Sequence, residues 1–240
     1  MVVAAAAAVL LGALVRGYTG FGASMFWVAS LALIYPPTSV VPTVLALEVL
    51  ASLTLLPAVA GQVQWRSMSW MLGATAVTMP FGVALLSVLP TRPMRLVIAS
   101  AILLGTVALA SGVQMAGEPG RRSALVAGSV SGVVNGSAGI GGPPAVLLYF
   151  SGTTAAEVGR ATLIAYFLGT DAFGFGFMAA AGLVDHDVLV HAAVFAPLAL
   201  AGIMGGQYLF RRTGGHGFRR VVLTVLVVLS VAILVRSLVP

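Results

Sequence analysis

Apolar residues run in long unbroken stretches along this chain, and the polar ones gather at a few points between them. Breakers and charges divide it into ten apolar segments, near 2–15, 22–35, 40–60, 67–89 and 94–114, then near 123–134, 142–151, 159–181, 187–210 and 218–238. Membrane strands alternate apolar and polar positions over short segments. These runs are continuous, as over 221–235, so they predict helices. About 20 residues of helix cross 30 Å of hydrocarbon. The last three segments of each half are long enough for that. The first two of each half are short, with Gly-rich sequence between them.

The halves are related. Val15-Arg16-Gly17-Tyr18-Thr19-Gly20-Phe21-Gly22 aligns with Val134-Asn135-Gly136-Ser137-Ala138-Gly139-Ile140-Gly141, each residue 119 positions after its counterpart. Further on, Gly82 and Met94-Arg95-Leu96-Val97 align with Gly206 and Phe218-Arg219-Arg220-Val221 at an offset of 124. Order and segment lengths agree, which points to an internal duplication. The expected organisation is a first membrane repeat over 1–115, a loop over 116–122 and a second repeat over 123–240.

Composition supports the membrane reading. Of 240 residues, 60% are hydrophobic and 8% charged, and the mean hydropathy is +1.09. A soluble domain is nearer a quarter charged. In lipid every backbone N–H and C=O must be satisfied internally, so the fold class expected is all-α integral membrane. The chain is apolar from residue 1 without a basic leader region, which reads as a retained helix rather than a signal peptide. There is no Cys, so thiolate catalysis and Cys metal sites are excluded. His186, His191 and His216 lack metal-site spacing, and no metal or cofactor is expected.

The net charge is +6, and all twelve basic residues are Arg. They lie in short loops, where Arg sets orientation rather than binding nucleic acid. Arg66, Arg121, Arg122, Arg160, Arg211, Arg212, Arg219 and Arg220 form one set; Arg92, Arg95, Arg236, Asp185 and Asp187 form the other. The Arg-rich set should be cytoplasmic, leaving both termini outside. Equivalent loops then fall on opposite sides, so the repeats are inverted, as in many secondary transporters.

Candidate chemistry sits in the glycine motifs. Several glycines together break a helix, and unwound backbone at membrane depth is tolerated only inside protein or along a wet cavity. A new helix follows each motif, the second opening Gly142-Pro143-Pro144, where proline suits the first turn. Exposed N–H groups and the positive dipole end there favour an anion. Arg16 precedes the first motif and Asn135 the second, with Ser24 and Ser137 close by. A guanidinium can hold an oxyanion through two parallel hydrogen bonds. The candidate substrate-binding set is therefore Arg16, Gly17, Gly20, Gly22, Ser24, Asn135, Gly136, Ser137, Gly139, Gly141 and Gly142. The alternative is structural: small residues let membrane helices pack closely, and Arg16 could snorkel to the headgroups.

Two acids interrupt long apolar runs, Glu48 and Asp171. A carboxyl in hydrocarbon costs several kcal/mol unless it faces the bundle interior, pairs or is protonated. They are candidates for carrying a coupling proton; the alternative is an ion pair of Glu48 with Arg16 and hydrogen bonding of Asp171 within the bundle. Glu157 and Arg160 have the spacing of a surface pair at a helix start. Phe173, Phe175 and Phe177 could line an aromatic pocket or face lipid. No phosphate-binding GxxxxGK[ST] motif and no nucleophile–base pair occurs, so the chain does not read as an ATPase or an enzyme.

With its two related units and a Gly-rich motif opening each, the sequence resembles the TauE/SafE sulfite exporter family over nearly its whole length. The run Gly136-Ser137-Ala138-Gly139-Ile140-Gly141-Gly142-Pro143-Pro144 carries the resemblance best. The first motif departs from the Gly-dense form at Phe21, Ala23 and Ser24. The resemblance implies a multi-pass protein of the bacterial inner membrane that moves small sulfur-containing anions, such as sulfite or organosulfonates, driven by an ion or proton gradient. Its partners would be that anion and membrane lipid, with a homodimer possible. An anion channel or a non-transporting scaffold is the competing class.

Overall fold

The computed structural model describes residues 2–111, 120–150 and 155–213. The tenth predicted segment, near 218–238, lies outside the described residues. Among the described residues there are nine α-helices and no strand. They are α1 (Val2–Thr19), α2 (Ala23–Leu31), α3 (Pro37–Leu55), α4 (Trp65–Val88), α5 (Thr91–Ala110), α6 (Arg121–Ala138), α7 (Gly142–Phe150), α8 (Ala156–Ala180) and α9 (His186–Thr213). Two short 3₁₀ turns, Leu56–Ala58 and Ala60–Gln62, lead from α3 to α4. Five helices, α3, α4, α5, α8 and α9, are long and apolar enough to cross a membrane.

The sequence expected unwound backbone across residues 17–22 and 136–142. The breaks are shorter than that. Helix α1 continues through Gly17 to Thr19, and α6 through Gly136 to Ala138. The chain then turns on Gly20 (φ 80°) and Gly22 (φ 88°) in one half and on Gly139 (φ 67°) in the other. Left-handed φ is where a glycine is needed, since a Cβ there clashes with the backbone. Gly17 and Gly136 keep helical geometry, and their bare Cα atoms are used for packing instead. Each break opens a nine-residue helix, α2 or α7, about 13 Å long at 1.5 Å per residue. Such a helix cannot span the hydrocarbon alone.

The most intimate helix pairs each join one half to the other: α4 with α6, and α1 with α9. Their registers match. A methyl placed on Gly82 would run into Val133 O, and would lie 2.8 Å from Ser137 N. One placed on Gly206 would run into Leu14 O, and would lie 2.8 Å from Tyr18 N. Val133 and Ser137 are the counterparts of Leu14 and Tyr18 at the offset of 119. Gly136 abuts Gly82, and Gly17 abuts Gly206. Backbone-to-backbone approach of this kind maximises dispersion contact and is how helices associate where lipid offers no hydrophobic drive.

Contacts along these pairs fix the helix directions. Gly128, Gly132 and Gly136 of α6 meet Met71, Thr75 and Met79 of α4 in ascending order, so the two helices run parallel. Gly202 meets Leu10 and Gly206 meets Leu14, so α1 and α9 are parallel too. Asn135 reaches Asp171 and Ser131 reaches Tyr166, which makes α8 parallel to α6. Gly20, at the end of α1, meets Arg160 near the start of α8, so α1 runs against α8. Arg66, Arg121, Arg122 and Arg160 therefore all lie toward one end of the bundle. Asp185 and Asp187, at the start of α9, lie toward the other.

Candidate functional site

Arg16 sits one turn before the end of α1 and is among the largest fully buried side chains, 1% exposed. A guanidinium in the interior of an apolar bundle demands partners, because an unpaired buried charge is very costly. Three surround it. Its Nη1 donates to Gly20 O at 2.8 Å, fastening the guanidinium to the break at the end of its own helix. Its Nη2 donates to Ser52 Oγ at 2.9 Å and lies 3.2 Å from Glu48 Oε2. The Phe167 ring of α8 covers it, with its centroid 4.8 Å from Cζ, close enough for cation–π attraction.

Asn135 holds the equivalent position in α6 and does the equivalent work. Its Oδ1 accepts from the Gly141 N–H at 2.9 Å, across the second break. Its Nδ2 donates to Asp171 Oδ1 at 3.0 Å. Each half thus presents a polar residue on its first helix that ties down the adjacent break and engages an acid on its third helix: Arg16 with Glu48, Asn135 with Asp171. All four side chains are buried, and Asp171 lies within electrostatic reach of both Arg16 and Glu48. The two half-sites form one polar centre.

That centre is not internally satisfied. Arg16 Nε, Glu48 Oε1 and Glu48 Oε2 are buried and make no hydrogen bond among the described residues. The backbone N–H of Ser24, in the first turn of α2, is directed toward the Glu48 carboxylate. More than nine in ten buried polar groups in proteins find a partner. Orphaned atoms on both members of a buried ion pair mark a place where a small polar ligand can bind.

Of the residues anticipated from sequence, the structure brings together Arg16, Gly20, Glu48, Asn135, Gly141 and Asp171. Gly22 adopts left-handed φ at the start of α2. Gly139 does so at the end of α6, its Cα facing Val41, Val28 and Leu45. Gly142 opens α7 beside Phe167. Ser137 turns back to donate to Val133 O on its own helix at 2.8 Å. Gly17 and Gly136 face the backbones of α9 and α4. Phe173 is exposed on the outer surface, while Phe175 and Phe177 are partly buried against the core.

Several contributors escaped sequence reasoning. Ser52, which holds Arg16, lies one turn beyond Glu48 on the same face of α3. A second chain of hydrogen bonds props the α7 entrance: Thr75 Oγ1 and Tyr166 Oη are 2.8 Å apart, Tyr166 donates to Ser131 Oγ at 2.7 Å, and Ser131 donates to Gly141 O at 2.6 Å. Ser131 precedes Asn135 by one turn. In both cases the available signal was the i, i+4 face shared with a residue already singled out.

Compared with known proteins, residues 4–233 match the family model described as Sulfite exporter TauE/SafE. No curated protein and no solved structure gives a significant match.

Proposed function

The chain belongs to the TauE/SafE sulfite exporter family, and from that premise we propose that it is a secondary permease for small sulfur-containing oxyanions, such as sulfite or an organosulfonate. The observation that carries this reading is the buried, incompletely hydrogen-bonded Arg16–Glu48 pair joined to Asn135–Asp171 at two helix breaks. Charged groups inside membrane helices are expensive and are kept where a pathway needs them. Helix termini pointing at a central site are the usual binding device of transporters built from repeats.

In this mechanism the oxyanion competes with Glu48 for the Arg16 guanidinium. Its oxygens match the planar donor fork, which binds them in pairs. Protonation of Glu48 would remove the competitor, and Asp171 could accept or pass a proton in the same way. Such an exchange couples anion movement to a proton gradient without ATP. The two matched crossings, α1 on α9 and α4 on α6, suit two inverted halves that rock about the fixed centre. The Arg-rich end is proposed to face the cytoplasm of a bacterial inner membrane, with both termini outside.

A thermal-shift panel on the detergent-purified protein tests the substrate class. Sulfite, sulfate, sulfoacetate, taurine, an aromatic sulfonate and acetate are compared for wild type and for Arg16→Gln combined with Glu48→Gln, a pair that leaves no lone buried charge. A ligand at about 100 times its Kd stabilises by about 2.7 kcal/mol. Selective stabilisation by a sulfur oxyanion, absent in the double variant, is the expected result. Equal response to all anions, or none in folded protein, would overturn the assignment.

A further inference from the structure

Resting on the proton-coupled permease reading, we infer that a file of buried hydroxyls along α8 is the proton path between the Arg-rich end of the bundle and Asp171. Thr162, Tyr166 and Thr170 recur every four residues on α8, so they share one face, and each is 0% exposed. At the Arg-rich end, Thr162 Oγ1 accepts from the Gln64 N–H at 3.0 Å, and Ser67 Oγ accepts from the Tyr149 hydroxyl at 3.1 Å. Gln64 and Ser67 are half-buried, so the head of the file is open to water. Further in, Tyr166 Oη lies 2.8 Å from Thr75 Oγ1 and 2.7 Å from Ser131 Oγ. Thr170 is buried beside the Tyr166 hydroxyl, and Asp171, the next residue, is within electrostatic reach of that hydroxyl.

The fold itself does not require these hydroxyls. The contacts Arg16–Ser52 and Asn135–Asp171 correspond across the two halves at the offset of 119. At that offset Ser131, Tyr166 and Thr170 fall on Gly12, Leu47 and Ala51. Thr75 falls on Ala199 at the offset of 124 found for Gly82 and Gly206. Leu47, Ala51 and Ala199 are buried as well, so the first half packs the same places with apolar groups. Polar groups in an apolar interior are costly unless satisfied. A set of them confined to one half, and ending at one buried acid, serves more than packing.

In the relay each hydroxyl takes a proton on a lone pair and passes its own to the next oxygen. O–H bonds form and break in equal number, so the file keeps no charge. A proton enters from water beside Gln64 and Ser67, and the Asp171 carboxylate becomes the neutral acid. About 6 Å of helix separates Thr162 from Tyr166, and one bridging water spans that step. The groups that face Asp171 from neighbouring helices are Asn135 of α6, which bonds it, and Arg16 of α1 and Glu48 of α3, which act on it through their charges.

The test separates proton movement from anion movement. Labelled sulfite is followed in proteoliposomes in two modes, with protein-free liposomes subtracted: net uptake driven by an imposed pH gradient, and exchange against unlabelled sulfite at equal pH. Exchange carries the anion both ways while Asp171 keeps its proton, so it does not use the file. Tyr166→Phe strands neither neighbour, because Thr75 and Ser131 still donate to Gly128 O and Gly141 O. Thr170→Val keeps the side-chain shape and removes the hydroxyl. Both variants, checked for a monodisperse folded peak, should slow net uptake about tenfold, the worth of one lost hydrogen bond in the transfer step. Exchange should stay within about twofold of wild type. Exchange falling as far as net uptake would show that the hydroxyls only prop the α7 entrance, and unchanged net uptake would equally overturn the relay. A wild type that exchanges sulfite but ignores the pH gradient would overturn the relay and leave the permease standing. No sulfite exchange by wild type would overturn both.

Discussion

Adding one methyl group at Gly206 tests whether the paired crossings hold the bundle together. That methyl would run into Leu14 O and lie 2.8 Å from Tyr18 N and 3.0 Å from Gly17 Cα. All three neighbours are backbone, so no rotamer change can relieve the contact and α1 must move off α9. Overpacking typically costs about 1–3 kcal/mol, and with a rigid partner the upper figure applies. Alanine returns about 1 kcal/mol of helix propensity. The net loss is about 2 kcal/mol, or roughly 4–8 °C in Tm for a chain of this length. The neighbouring residue supplies the control: a methyl at Gly205 meets only Leu14 Cδ2, at 3.1 Å, a side-chain end that can swing away. Gly73 has nothing within 4 Å, so Gly73→Ala should gain about 1 kcal/mol from propensity alone. Thermal unfolding of the three purified variants, followed by tryptophan fluorescence, ranks them Gly73→Ala, Gly205→Ala, Gly206→Ala from most to least stable. A Gly206→Ala protein as stable as Gly205→Ala would refute the account of the crossing.

Three further outcomes follow from the polar centre. Arg16→Gln alone strands the buried Glu48 carboxylate and should cost about 3–5 kcal/mol; adding Glu48→Gln should recover most of that, and a double variant no more stable than the single one would deny that the pair is coupled. Asn135→Ala removes the partners of Gly141 N–H and Asp171 Oδ1 together, at about 1–3 kcal/mol for each buried group left unsatisfied, and hydrogen exchange at Gly141 should rise with it. Combining Glu48→Gln with Asp171→Asn should flatten the pH dependence of sulfite flux in liposomes, whereas an unaltered pH profile would remove both acids from proton coupling.

Much of this was legible in the sequence because bilayer chemistry writes itself plainly. Long apolar runs gave the helices, and positive-φ glycines cluster where the motifs end. Arg16, Glu48 and Asp171 stood out because a charge inside an apolar run has few innocent explanations. The duplication aligned Arg16 with Asn135 before any contact was known. What stayed hidden was which job each glycine performs. Gly20 and Gly139 turn the chain, whereas Gly17 and Gly136 hug a helix from the other half; composition and spacing are the same for both uses. The pairing of α1 with α9 and α4 with α6 was equally hidden, since helix periodicity reports that a face is buried and not which partner buries it.

The frame is closely matched between the halves, and the centre it encloses is not. Both breaks are fastened by the same device, yet one fastener is a permanent cation and the other a neutral amide. Two arginines at these places would put two permanent charges into one buried site, and holding the bundle together in the absence of an anion would then require both acids to stay ionised. With Arg16 and Asn135, a single guanidinium is balanced by Glu48 alone, and Asp171 is free to accept the amide hydrogen bond. In the proposed mechanism, an arriving oxyanion then meets one strong donor already engaged by a carboxylate. It can bind only by displacing that carboxylate or by arriving with a proton for it. Substituting Asn135→Arg should therefore trap anion rather than speed its passage: sulfite would stabilise the variant more than wild type, while flux falls. Tighter binding with undiminished flux would show that the asymmetry of the centre is unrelated to release.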